Sequence, residues 1–121
     1  MTVWDKYSLW FGNVAEKELK SELSAISNDP DEINDRFYRD LEFGTGGLRG
    51  IIAAGSNRMN IYTVRRATQG LAAYLSENFN APSVCIAYDT RNKSLEFART
   101  AAEVLCANGV KTYLFDAVCP T

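Results

Sequence analysis

The feature that most constrains the fold is residues 83–88, a near-continuous apolar run of strand length with the sequence SVCIAY. A run of this kind is typical of a strand that is covered on both faces, as in parallel sheets. Apolar residues at helical spacing precede it in residues 63–79 and follow it in residues 94–107. A strand between two helices indicates an α/β fold.

Two further segments complete the pattern. Residues 110–115, with the sequence VKTYLF, are expected to form the next strand, and residues 51–55 are expected to form a short strand closed by a turn at Ser56-Asn57. The order β-α-β-α-β from residue 43 onward predicts a three-layer α/β/α fold, in which helices cover both faces of a mostly parallel, mixed sheet. The expected helix caps are Thr63 and Ser94 at the N-termini and Asn108-Gly109 at one C-terminus.

The first part of the chain has a different character. Apolar residues recur every three or four positions from Val3 to Ile26, and Gly12-Asn13 is expected to divide this stretch into two helices. A third helix is expected after Asp29 as N-cap, with Pro30 at its first position and the Glu32 carboxylate facing back to the cap. Residues 1–41 are therefore predicted to be a helical lead-in, followed by an α/β domain over residues 42–121.

Composition excludes several classes of function. A net charge of −2 provides no broad basic surface, so neither nucleic acid nor a membrane surface is an expected partner. The chain has no histidine, which excludes Ser-His-Asp and Cys-His triads. Its start does not resemble a signal peptide, and a cytoplasmic location is expected. Cys85, Cys106 and Cys119 fall in apolar patterns without metal-site spacing and are expected to be reduced residues in or near the core.

Residues 44–50 are the first candidate for chemistry because four of the seven are glycines. Backbone N–H groups exposed in such a segment can bind an anion; Thr45 adds a hydroxyl donor, and Arg49 adds a guanidinium that matches phosphate oxygens. A glycine-rich turn with a solvated arginine is the alternative. The segment matches neither the Rossmann nor the P-loop pattern, since Arg49 and Ser56 stand at positions that require glycine and lysine.

The second candidate follows the most apolar strand. Asp89 and Arg91 come just after it, and ligands of open α/β sheets bind beside the carboxyl ends of strands. A purely structural pair in the turn is the alternative for these two residues. Three other arginines are expected to be surface or subunit-contact charges: Arg58, Arg65 and Arg66.

These segments resemble the first domain of the α-D-phosphohexomutases, a family of four-domain enzymes. The similarity is greatest to the branch that contains phosphoglucomutases, phosphomannomutases and phosphopentomutases, and it extends over essentially the whole chain. Several separated motifs in the family's order carry it: FGTGGLRG at 43–50, NRMN at 57–60, TV at 63–64, ATQGLA at 67–72, YDTR at 88–91 and CPT at 119–121.

The resemblance implies an enzyme that moves phosphate between C1 and C6 of a hexose through a phosphoserine and a bisphosphorylated sugar. It implies Mg²⁺ and a sugar bisphosphate primer as cofactors and a phosphosugar as substrate. Thr45, Gly46 and Arg49 would lie beside the phosphoserine, with Arg49 contacting its phosphate, and Asp89 and Arg91 would support the active-site loop. No residue of this chain is expected to be a metal ligand.

The family's serine loop and its metal-binding aspartates would follow Pro120. We therefore expect the chain to be the N-terminal part of a mutase, inactive alone, without tight binding of either cofactor, and able to self-associate through an exposed sheet edge. The alternative is a standalone phosphate- or nucleotide-binding α/β module. The sugar, whether glucose, mannose or pentose, is not determined by these residues.

Overall fold

The computed structural model describes residues 2–44, 47–48, 50–88 and 93–114 of the chain. These residues form two compact units, Met1–Asn60 and Ile61–Thr121, which we describe separately. None of the helices in the described ranges is long and apolar enough to cross a membrane.

The first unit begins with three helices, α1 (Val3–Asn13), α2 (Lys17–Ala25) and α3 (Pro30–Phe37). The break between α1 and α2 follows Asn13, as the Gly12-Asn13 pair predicts. Asp29 is the N-cap of α3 and accepts a hydrogen bond from the Glu32 N–H, also as predicted. The Glu32 carboxylate does not face back to the cap, because it accepts a hydrogen bond from Arg36 one turn later at 2.9 Å.

Aromatic contacts hold the three helices together. Leu23, Ile33 and Phe37 are fully buried, and the rings of Tyr7 and Trp10 meet the Phe37 ring edge to face at centroid distances of 6.0 and 5.7 Å. The Tyr7 hydroxyl donates to the carbonyl oxygen of Leu23 at 2.6 Å, one of the last carbonyls of α2, which lack a partner within the helix. Burial raises the pKa of this hydroxyl above its ordinary value of 10.0.

Strands β1 (Phe43–Gly44) and β2 (Gly47–Leu48) follow the helices and pair antiparallel. The strand expected at residues 51–55 is wrong: in this segment Ile52 forms an isolated bridge with Met59, and the chain then turns. The backbone of this segment is bound by Met59, through the Ala53 N–H to the Met59 carbonyl oxygen at 3.1 Å and the Met59 N–H to the Ile51 carbonyl oxygen at 2.7 Å. The Asn60 side-chain amide also donates to the carbonyl oxygens of Ala53 and Gly55 at 2.9 and 3.0 Å.

The second unit consists of α4 (Ile61–Asn78), β3 (Ser83–Ile86), α5 (Ser94–Ala107) and β4 (Lys111–Leu114). Strands β3 and β4 pair in parallel, with Ser83 opposite Lys111 and Ile86 opposite Leu114, so the predicted βαβ pattern is confirmed here. One apolar cluster joins the helices to the sheet; its buried members are Ala72, Leu105 and Val110, and Leu75, Val84 and Ile86 pack against them.

The helix ends of this unit confirm one predicted cap and contradict two. Asn108 is the C-cap of α5 and Gly109 has a φ of +76°, as the Asn-Gly pair predicts. Thr63 lies inside α4 and is buried, because the helix begins two residues earlier. Ser94 is the first residue of α5, and Lys93 with a φ of +67° occupies the cap position.

The expected burial of the cysteines is wrong for the two that the structure describes. Cys85 is exposed because burial alternates along β3, so its side chain lies on the face opposite Val84 and Ile86. Cys106 is exposed on α5. Cys119 lies outside the described residues.

Replacing Tyr7 by phenylalanine tests the bond to Leu23. Tyr7→Phe is expected to lower the free energy of unfolding by about 1–2 kcal/mol, because the carbonyl oxygen loses its donor. The raised pKa of Tyr7 means that this hydroxyl favours the folded state below about pH 10 and that the contribution is lost as pH rises further. In urea titrations from pH 8 to 11, the difference between the two proteins should shrink above pH 10. A constant difference would contradict the assignment.

Gly55 allows a test of how the turn packs on α3. Its φ is +134°, and an added Cβ would lie 2.9 Å from both the Cβ and the carbonyl oxygen of Arg36. Gly55→Ala should destabilise the first unit by about 2 kcal/mol or more. Gly12→Ala is the control, since nothing lies within 4 Å of its added Cβ, and should be neutral or stabilising by up to about 0.5–1 kcal/mol. Unfolding is followed by the fluorescence of Trp4 and Trp10 in a urea titration. Equal unfolding midpoints for Gly55→Ala and Gly12→Ala would contradict the close contact between Gly55 and Arg36.

Candidate functional site

The glycine-rich segment lies in the first unit between α3 and the turn at residues 53–60. Its two short strands pair Phe43 with Leu48 and Gly44 with Gly47. Three residues predicted to bind phosphate, Thr45, Gly46 and Arg49, lie outside the described residues. The structure thus describes the residues that flank these three in the chain: Gly44 and Gly47 around the first two, and Leu48 and Gly50 around the arginine.

The two ends of this segment are held close together. The added Cβ of Gly50 would lie 2.9 Å from Cδ1 of Leu41, so the backbone after the hairpin packs on the side chain before it. The Leu41 N–H donates to the carbonyl oxygen of Ser56 at 2.8 Å, and the Ser56 hydroxyl donates to the carbonyl oxygen of Arg39 at 2.9 Å. The residues just after α3 are therefore in contact with the residues that follow the glycine-rich segment. We call these contacts among Arg39, Leu41, Gly50 and Ser56 the base of the segment.

Two charged side chains bind the backbone N–H and carbonyl oxygen of one residue, Ala54. The Glu22 carboxylate accepts hydrogen bonds from the Ala54 N–H and from Arg36 Nη1, both at 3.2 Å. Arg36 Nη1 also donates to the Ala54 carbonyl oxygen at 3.2 Å, and its Nε donates to Glu32 at 2.9 Å. Ala54 itself is fully buried. We call Glu22, Arg36 and the Ala54 backbone the Ala54 clamp.

Arg58 lies beside the clamp and is not the surface or subunit-contact charge that the sequence suggests. It is 5% exposed, and its guanidinium pairs with the Asp35 carboxylate and lies 3.9 Å from that of Glu32. It also donates to the carbonyl oxygens of Asp35 and Asn57 at 3.4 and 3.0 Å. A buried guanidinium needs such partners because it has lost its hydration. Arg58 thus fastens the turn to the end of α3.

The other two arginines agree with the expectation of surface charges. Arg65 and Arg66 are exposed on α4. The Arg65 guanidinium lies over the Tyr62 ring at 5.5 Å from its centroid, a contact within its own helix.

In the second unit, Asp89 and Arg91 also lie outside the described residues. They occur in the chain between β3 and α5, where a parallel βαβ unit presents the carboxyl end of its first strand. The structure therefore tests the elements on either side of this pair but not the pair itself. Among the described residues there is no group of three or more acidic or cysteine side chains that could hold a metal ion.

Sequence reasoning missed the residues that hold the base of the glycine-rich segment. The Glu32–Arg36 pair has the i,i+4 spacing of a helix ion pair and could have been found from sequence. Glu22 and Arg36 belong to different helices, and Asp35 pairs with Arg58 across 23 positions, so no local spacing indicates them.

Comparison with known proteins supports the resemblance seen in the sequence. Residues 40–121, more than half of the chain, match the family described as phosphoglucomutase/phosphomannomutase, alpha/beta/alpha domain I. No solved structure matches the chain at a significant level.

Curated relatives carry the name phosphoglucomutase. The protein from Staphylococcus saprophyticus subsp. saprophyticus is 37% identical over 109 residues, 90% of this chain and 19% of the relative. That from Staphylococcus haemolyticus is 42% identical over 80 residues, 66% of this chain and 15% of the relative. That from the bovine Staphylococcus aureus strain RF122 is 41% identical over 85 residues, 70% of this chain and 15% of the relative. The chain thus spans less than one fifth of the length of these relatives.

The match to domain I and the βαβ unit of the second unit agree on an α/β/α architecture. The family match includes the glycine-rich segment and the strands that follow it. The chain belongs to the phosphoglucomutase/phosphomannomutase family, and its residues 40–121 correspond to the alpha/beta/alpha domain I.

Proposed function

We propose that this chain is the N-terminal part of a phosphosugar mutase that moves phosphate between C1 and C6 of a hexose through a phosphoserine and a bisphosphate intermediate. Residues 1–41 are its helical lead-in, and residues 42–121 are the first part of domain I. The observation that carries the proposal is the match of residues 40–121 to domain I of the phosphoglucomutase/phosphomannomutase family. Nothing in the chain selects glucose, mannose or pentose as the sugar.

In this proposal the glycine-rich segment binds the transferring phosphate. Phosphoryl transfer depends on alignment and on stabilising the charge of the transferring oxygens. Backbone N–H groups near Gly46, the Thr45 hydroxyl and the Arg49 guanidinium are donors suited to that charge. The contact of Leu41 with Gly50 and the hydrogen bond from Leu41 to Ser56 support the proposal because they fix the residues that precede and follow the glycine-rich segment.

Other parts of the proposed mechanism lie outside the glycine-rich segment. Asp89 and Arg91 support the active-site loop after β3. Mg²⁺ and a sugar bisphosphate primer serve the longer enzyme; the described residues offer no cluster that fits a metal ion, and no step assigned to this chain uses a metal ligand. Self-association through the sheet edge stays a prediction.

The 121-residue chain is expected to lack mutase activity, since the proposed phosphoserine follows Thr121. Purified chain with glucose 1-phosphate, Mg²⁺ and glucose 1,6-bisphosphate should form no glucose 6-phosphate above the rate without protein. Turnover would overturn this part of the proposal. Reading the coding sequence beyond Thr121 separates the alternative of a standalone phosphate- or nucleotide-binding module: a continuing frame with a serine loop and an aspartate-rich loop excludes it, whereas a stop codon there favours it.

The phosphate role of the glycine-rich segment can be tested on the chain itself. We expect inorganic phosphate at millimolar concentration to shift the backbone amide signals of residues 44–50 in ¹⁵N NMR spectra. Arg49→Gln should weaken this binding about tenfold, because a charged hydrogen bond contributes about 1.5–3 kcal/mol. Arg65→Gln removes an equal charge from an exposed site on α4 and is the matched control, expected to bind as the wild type does. Equal weakening in both variants would indicate general charge attraction and contradict the assignment.

A further inference from the structure

We propose that Glu22 and Arg36, the charged members of the Ala54 clamp, are positioning residues that hold the glycine-rich segment in its phosphate-binding form. This inference rests on the function proposed above. It assigns the lead-in helices a role in the phosphate site that neither the family match, which starts at residue 40, nor the glycine-rich motif contains.

The first step is that the clamp binds both polar groups of one buried residue. Glu22, on α2, accepts from the Ala54 N–H, and Arg36, on α3, donates to the Ala54 carbonyl oxygen. The two side chains also bind each other at 3.2 Å, and Glu32 holds the guanidinium from its other edge. An arginine bound on two edges has little rotational freedom, so the Ala54 peptide is held at a defined position between two helices.

The second step connects Ala54 to both ends of the glycine-rich segment. On the N-terminal side of Ala54, the Ala53 N–H donates to the Met59 carbonyl oxygen at 3.1 Å, and the Met59 N–H donates to the Ile51 carbonyl oxygen at 2.7 Å. Ile51 directly follows Gly50. These bonds therefore tie the exit of the glycine-rich segment to the clamped residue.

On the C-terminal side of Ala54, hydrogen bonds also connect the clamped residue to the start of the glycine-rich segment. Ser56, two residues after Ala54, accepts from the Leu41 N–H at 2.8 Å and donates to the Arg39 carbonyl oxygen at 2.9 Å. Gly55 between them packs its backbone against Arg36, with no room for a Cβ. The entry and the exit of the glycine-rich segment are thus both tied to the residue that Glu22 and Arg36 hold.

The third step is energetic. The Glu22 side chain is 31% exposed and that of Arg36 is 13% exposed, so the pair is partly removed from water. Removing the carboxylate charge leaves the guanidinium without one of its two acidic partners and the Ala54 N–H with a weaker acceptor. The backbone of Ala54 is then held less firmly, and so are the residues bonded to it that precede and follow the glycine-rich segment.

The experiment measures phosphate affinity in folded protein rather than stability alone. Glu22→Gln replaces the charged acceptor with an amide of the same size, and we expect it to weaken the binding of inorganic phosphate about fivefold to tenfold. It should also move the amide signals of residues 43–48 in the absence of phosphate. Arg36→Lys keeps the positive charge but loses the planar fork, and we expect the same two effects. It gives a second test if Glu22→Gln does not fold.

Two controls separate positioning from other effects. Tyr7→Phe lowers the stability of the same unit without touching Ala54, and Glu96→Gln makes the same carboxylate-to-amide change in the Lys93–Glu96 ion pair of the other unit. Both should bind phosphate as the wild type does. If Glu22→Gln and Arg36→Lys also bind as the wild type does, the positioning role is refuted while the phosphate site stands. If the wild type itself shows no binding, the phosphate assignment fails, and the positioning role fails with it.

Discussion

The first unit depends on two arginines that are largely removed from water. The side chains of Arg36 and Arg58 are 13% and 6% exposed. Leaving a guanidinium buried without partners is costly, so the chain around them must supply acceptors. Carboxylates of α2 and α3 supply some, and backbone carbonyl oxygens of Asp35, Ala54 and Asn57 supply the rest. The irregular segment that packs against α3 thus supplies acceptors to both arginines, through the carbonyl oxygens of Ala54 and Asn57.

An apolar cluster stabilises the second unit. Its helices meet the parallel strands through this cluster around Ala72, Leu105 and Val110, where hydrophobic burial contributes to stability. The Gln69 and Asn108 side-chain amides add a reciprocal pair of hydrogen bonds between α4 and the end of α5, at 3.1 and 2.9 Å. The first unit also has an apolar core, with Leu23, Ile33 and Phe37 fully buried, so it combines hydrophobic burial with the charge pairs of Arg36 and Arg58.

The charge pairs of the first unit bear on the proposed function. The glycine-rich segment belongs to this unit, where directional hydrogen bonds define the position of a backbone more sharply than apolar contacts do. A site that must place several donors around a phosphate benefits from such a support. Helices α2 and α3 of the lead-in thus do more than cover an apolar face, because they supply Glu22 and Arg36 to the turn that follows the segment, and Glu32 holds Arg36.

Local sequence signals determined much of this protein: the Asp29-Pro30 start of α3, the break after Asn13, the Asn108-Gly109 end of α5 and the βαβ pattern of the second unit. These features depend on residues close together in the chain, where backbone preference and apolar period act directly. The family resemblance likewise came from motifs, and the comparison with known proteins confirms it. The predicted phosphate-site residues, among them Thr45 and Arg49, stay predictions because they lie outside the described part of the chain.

Only tertiary structure decided that residues 51–55 form no strand, that Cys85 is exposed and that Arg58 is buried, because each depends on partners from distant positions. No sequence periodicity indicates a pair such as Glu22 and Arg36, because this pair forms only when α2 and α3 pack together and both bind the backbone of Ala54.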